Sequence, residues 1–190
     1  LGALRLLFAC LLLGVMAMAG VGSLASAIAA GLAEQGQVIL GGDVEARLTQ
    51  RQPSADEMAA LRGYGGQVSQ SVRMRAMVRG ETGTAAGREL LGELKAVDGG
   101  WPLYGAAALK DGGGNTAVKA ALARGAVVGE ALASQLGLKP GDEISIGAAR
   151  MPVAAILTVE PDRAGEGFTL GPSVLIAMDL GRELAARRGV

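Results

Sequence analysis

Histidine is absent from this chain of 190 residues, and cysteine occurs once. Without imidazole there is no ordinary general base near neutral pH, no Ser-His or Cys-His nucleophile pair and no imidazole metal site. Cys10 lies inside an apolar run, where it serves as a small hydrophobe, so thiolate catalysis, a cysteine zinc site and a disulfide framework are excluded as well. Lys+Arg and Asp+Glu number 18 each, and aromatics make up only 3% of the residues. No basic excess with interleaved aromatics therefore points to a nucleic-acid partner. The stretch from Gly80 to Arg88 has the glycine spacing of a phosphate loop at a glance. It lacks the Gly-Lys-Ser/Thr ending that holds phosphate and magnesium, and it falls in a hairpin instead of between strand and helix. There is no Gly-x-Ser-x-Gly elbow. Asp98, Asp111, Asp142 and Asp162 all fall in expected turns, where aspartate bonds backbone N–H groups. No catalytic, cofactor-binding or metal-binding residue is assigned, and nothing motivates an enzyme.

What is present is a long run without charge, Leu6 to Ala33, between Arg5 and Glu34. Roughly 20 apolar residues cross a bilayer at ~1.5 Å each, so the run is long enough for a transmembrane helix with a turn or two to spare. Leu6, Leu13 and Val15 lie in its bulk, while Leu24, Ile28 and Leu32 repeat every fourth residue on an Ala/Ser/Gly surface. That spacing predicts a stalk with one apolar stripe. A cleaved secretory signal is the competitor, since Ala25-Ser26-Ala27 has the A-x-A form. The charge-free run continues past that site, beyond the ~7–15 residues of a signal core, which favours the anchor. A buried soluble helix is the third reading. A lipoprotein signal fails because the apolar region follows Cys10. Arg5 favours a cytoplasmic N-terminus, which would put the main domain outside the cytoplasmic membrane. The first residue is leucine, not methionine, which predicts a fragment or a processed product.

Residues 34–190 predict one α+β domain of mostly antiparallel strands with short helices. Gln37 to Leu40 and Val44 to Leu48 read as extended, broken by Gly41-Gly42-Asp43. Ser54 to Glu57 fits a capping box that opens a helix ending at Gly63, with Met58 and Leu61 inward. Val68 to Arg79 and Arg88 to Val97 alternate as a long hairpin, with Arg73, Arg75 and Arg79 on a solvated face. Asp98 to Gly105 carries the single tryptophan, Trp101, and Tyr104. These two are the candidate contact loop, set against a structural role plugging the end of a sheet. Asp111 to Asn115 reads as a loop, with a candidate lobe boundary near 111–125. After it come a strand at Ala126-Val127-Val128, a helix from Glu130 to Leu136 stopped by Gly137, and a Pro-Gly turn at Lys139 to Asp142. A hairpin from Glu143 to Thr158, a loop from Pro161 to Gly167, a strand at Ser173 to Ala177 and a last helix capped by Asp179 and running through Arg188 complete the chain.

The N-terminal span and small-residue stalk lead to the stretches Gly41 to Leu48 and Glu93 to Gly105. With Leu132-Ala133 and Leu136 to Asp142 followed by a hairpin, their order resembles the extracytoplasmic core domain of FtsX/MacB-type ABC transporter permeases. Within that family the chain is most similar to the YbbP-like branch, the permease associated with lysophospholipase biosynthesis. The resemblance covers nearly all of the chain. It implies an inner-membrane permease subunit, itself non-catalytic, with a separate ABC ATPase as partner. It further implies a homodimer or a second permease as neighbour, lipid around the span, a periplasmic domain of two lobes, and a periplasmic protein as possible contact. ATP-driven motion of the helices would move that domain. No later span and no coupling helix follows within these residues, so the chain is expected to be the first span plus the first extracytoplasmic domain. The alternative is a stand-alone anchored or secreted periplasmic binding module, and a third reading is a membrane-tethered hydrolase.

Overall fold

The computed structural model describes residues 2–49, 51–166 and 171–187, without the side chains of 32–35, 38, 39, 164–166 and 187. Expectations about Leu32 as a side chain and Arg188 as a helix end lie outside the described residues. The chain divides into two compact units, Leu1–Gln37 and Val38–Val190.

The first unit belongs to helix α1, Gly2–Leu40. Its stretch Gly2–Gly31 is long and apolar enough to cross a membrane, and none of it is buried. Ser26 returns its hydroxyl to the carbonyls of Gly22 and Ser23, both at 3.0 Å, so this polar side chain is satisfied within the helix. The helix runs further than expected, because Gln37 to Leu40 continue it instead of forming a strand. Glu34, Gln35 and Gln37 are good helix formers. The stop comes only at Gly41, whose φ of 70° is the left-handed conformation that glycine adopts without cost. Val44 to Leu48 form no strand either. Both Val44 and Leu48 are exposed, so the alternation has no buried face to enforce pairing.

The second unit is α+β with a mostly antiparallel sheet of seven strands. They are β1 (Ser71–Gly80), β2 (Glu89–Val97), β3 (Ala108–Leu109), β4 (Ala126–Gly129), β5 (Glu143–Ile146), β6 (Ala149–Val159) and β7 (Ser173–Ala177). Their order is β3-β6-β4-β7-β2-β1-β5, and β5 pairs back onto β6. Six strands thus close a circuit of hydrogen bonds, with β3 on β6 outside it. Strands β1 and β2 form the expected hairpin in unbroken register from Ser71↔Val97 to Arg79↔Glu89. Parallel pairing occurs between β2 and β7 and between β4 and β6. Strands from both sides of 111–125 share this one sheet.

Two apolar clusters fill the unit. Leu94, Ala96, Val128, Val174 and Ile176 meet helices α4 (Glu130–Leu136) and α5 (Met178–Arg187). Val97, Val127 and Leu175 meet Trp101 and helix α3, Asn115–Leu122, which the sequence pattern did not indicate. The central strands are therefore covered on both faces, and this decides the surroundings of every polar residue on them. Helix α2 (Ala55–Gly63) has the capping box at Ser54 and Glu57, yet Met58 and Leu61 are only half-buried. The hydrogen bond from Arg51, with that from the Ser54 backbone, pulls the Glu57 carboxyl down to about 2.

The hairpin loop between β1 and β2 caps α4. Arg88 donates to the carbonyls of Leu136 (2.9 Å) and Gln135 (2.6 Å), and Thr84 Oγ1 to that of Gly137 (2.8 Å), supplying partners that helix ends lack. Helix α5 sits so close to β2 that a Cβ at Gly181 would lie 2.2 Å from the Cβ of Ala96. Gly181→Val should destabilise the domain by about 1–3 kcal/mol through overpacking. Urea unfolding followed by circular dichroism checks it, and an unchanged midpoint would refute the close contact.

Candidate functional site

Strand register brings two cations side by side, since Arg73 of β1 faces Lys95 of β2. On a wet face both would be solvated. Here Trp101 and α3 cover that face, and Lys95 is 2% exposed. A buried ammonium needs partners, and the 3₁₀ helix Pro161–Glu166 with the residue before it delivers them. Lys95 Nζ donates to Asp162 Oδ1 at 2.6 Å and to Glu160 Oε1 at 2.9 Å. Asp162 Oδ2 also accepts from the Trp101 indole Nε1 at 3.0 Å and from Arg73 Nη2 at 3.4 Å. Lys95 Nζ lies 5.0 Å from the Trp101 ring centroid, within cation–π range. Burial alone would raise the Asp162 pKa. The charge and hydrogen bond of Lys95, the indole and Arg73 outweigh it and hold the carboxyl below its usual value.

The residues after α1 rest on this network. A Cβ at Gly41 would stand 3.0 Å from the Cβ of Asp162, so only glycine fits there in its left-handed conformation. Gly42 is buried, and the Tyr104 hydroxyl donates to Asp43 Oδ2 at 2.9 Å. That hydrogen bond and the charge of Asp43 raise the Tyr104 phenol above its ordinary value, since ionising would lose the bond and oppose the carboxylate. The segment Gly41–Asp43 is thereby held within the Val38–Val190 unit by Asp162 on one side and Tyr104 on the other.

Sequence-designated residues are distributed as follows. Trp101 is 4% exposed and belongs to an apolar cluster, with its indole N–H spent on Asp162. Tyr104 is half-buried on Asp43. Leu6, Leu13, Val15, Leu24 and Ile28 are all exposed along α1. Asp98 does what turn aspartates do, accepting from Ser69 Oγ (2.6 Å) and from the backbone N–H groups of Gln70 (2.7 Å) and Gly100 (3.0 Å). Asp142 likewise accepts from the Lys139 N–H at 2.8 Å. Asp162 departs from that pattern, turning inward to a charge instead of capping its own loop, because Lys95 offers the stronger, charge-assisted donor.

Among the described residues, no three His, Cys, Asp or Glu side chains gather as they would to hold a metal ion. The arrangement is an ion network that ties β1, β2, the 98–105 loop and the 3₁₀ helix to the chain's passage out of α1. Its chemistry is that of a fastening. No protein-family model matches the chain, and no curated protein matches its sequence.

Proposed function

We propose that the chain is the first membrane span and the extracytoplasmic domain of an ABC permease of the FtsX/MacB type, in its YbbP-like branch. In this reading α1 crosses the bacterial inner membrane with its N-terminus in the cytoplasm. Residues beyond Gly41 form the periplasmic domain, as one or two lobes. The subunit is non-catalytic. ATP is hydrolysed by a separate ABC ATPase, the permease works as a homodimer or beside a second permease, and the domain contacts a periplasmic protein. The observation that carries the reading is an apolar, unburied helix at Gly2–Gly31, with Arg5 near its start as its one charge, leading into an α+β unit. An apolar surface of that length costs least in lipid.

Two experiments test it. Reading the gene past the codon for Val190 should reveal further apolar runs of about 20 residues. A stop codon at that point would leave an anchored or cleaved periplasmic module and remove the transport mechanism. In the assembled transporter, Ile28→Pro should leave ATP hydrolysis and assembly intact while abolishing movement of the domain. Proline inside a helix costs ~3 kcal/mol where neighbours do not satisfy the freed carbonyl. Wild-type transport by that variant would refute coupling through the stalk.

A further inference from the structure

Glu160 belongs to a second feature besides the ion network. It lines a cavity of about 130 Å³ together with Gly129, Glu130, Ala131, Arg163 and Ser173. Water occupies roughly 30 Å³ in the liquid, so the space suits a ligand of a few heavy atoms. Its wall has an acidic pole. Glu160 Oε1 is taken by Lys95, whereas Oε2 lies 3.9 Å from the nearest Arg163 nitrogen, beyond hydrogen-bond reach, and keeps its capacity to accept. Glu130 adds a second carboxylate at the rim, with Oε1 held by Lys110 at 3.1 Å. The wall also has a basic pole. Arg163 donates Nη1 to Ser173 Oγ at 3.1 Å and Nη2 to the Gly171 carbonyl. A guanidinium carries five N–H donors, so others remain, and the Ser173 hydroxyl still has its own hydrogen to give. Gly129 preserves this pole, since a Cβ there would lie 2.6 Å from Ser173 Oγ.

We propose that this cavity binds a small zwitterion, a primary ammonium joined through a few atoms to a carboxylate or phosphate. The ammonium would donate to Glu160 Oε2 and Glu130, and the anion would accept from Arg163 and Ser173. A bare cation would meet Arg163 and a bare anion would meet two carboxylates, so the site discriminates against either charge alone. The proposal goes beyond the coupling role and does not depend on it.

The test titrates the full chain in maltoside micelles, by calorimetry and by the amide shifts of Gly129 and Ser173. The probes are alanine, phosphoethanolamine, acetate and methylammonium. At least one zwitterion should bind at least about tenfold more tightly than acetate or methylammonium, because a single-charge probe forfeits one set of charge-assisted bonds. Which zwitterion binds tells carboxylate from phosphate. Ala131→Trp at the exposed rim should weaken binding at least about tenfold, and Glu130→Gln about threefold, with the melting temperature unchanged. The proposal is overturned if neither zwitterion binds up to about 50 mM, which is weak even for so small a ligand. It is equally overturned if acetate or methylammonium binds as tightly, or if Glu130→Gln and Ala131→Trp leave binding intact.

Discussion

Lys95→Met is expected to destabilise the domain by about 3–5 kcal/mol, the usual cost of removing one partner from a buried ion pair. The substitution keeps an unbranched stem of similar volume, so the loss reports charge and not a cavity. It leaves Asp162 and Glu160, both largely buried, facing each other without their shared cation. Asp162 retains Trp101 and Arg73, while Glu160 retains only the long 3.9 Å approach of Arg163. The sign of the pH dependence follows from the lowered Asp162 pKa. A carboxyl held below its unfolded value of about 3.9 stabilises the fold above that pH, and the contribution is lost as pH falls through the lower folded value. In Lys95→Met, burial acts on Asp162 with less opposition and its pKa rises. The stability gap between wild type and variant should therefore shrink as the pH falls through the variant's higher Asp162 pKa toward the lower wild-type one. Trp101 is the single tryptophan and sits on the network, so its emission follows unfolding directly. A gap that stays constant with pH would mean that Asp162 does not answer to Lys95.

The paired substitution Leu13→Arg with Val15→Arg carries the largest expected effect. Each arginine near the middle of an apolar helix costs about 2.5–3.5 kcal/mol for insertion, so the two together cost about 5–7 kcal/mol. Both positions are exposed along α1, and no protein surface compensates them. In the proposed anchor, wild type remains in the membrane pellet through alkaline carbonate extraction and the double variant appears in the supernatant. Equal partitioning of the two would place the helix outside the bilayer.

Much of the domain could be read in the sequence because its signals are local. The capping box at Ser54 and Glu57, the β1–β2 hairpin, the helix from Glu130 to Leu136 with Gly137 at φ 79°, and the turn at Lys139–Asp142 each depend on residues a few positions apart. The ion network could not be read in the same way. Lys95 and Asp162 are 67 positions apart, and alternation along β2 assigns Lys95 to the polar face. Lys95 does alternate with the buried Leu94 and Ala96, but alternation says nothing about whether its own face meets water. Trp101 and α3 cover it, and α3 itself was missed because only Val118 and Ala121 mark its buried side. Gln37–Leu40 are helix instead of the expected extended segment, because the glutamines and glutamate at and just before that point continue a helix well. Charges embedded in a strand that ends Leu-Lys-Ala-Val are the one local hint of a buried pair, and they name no partner.

Membrane topology tests the central claim most directly. Cys10 is the only native cysteine and lies in α1, while Tyr64 is 89% exposed on the second unit. Intact spheroplasts carrying the full chain would be treated with a membrane-impermeant maleimide, using the native protein and a Cys10→Ser/Tyr64→Cys variant. The expected result is rapid labelling of the variant from outside and none of the native protein until detergent is added. Labelling of the Tyr64→Cys variant only after lysis would contradict an extracytoplasmic domain and, with it, the coupling role.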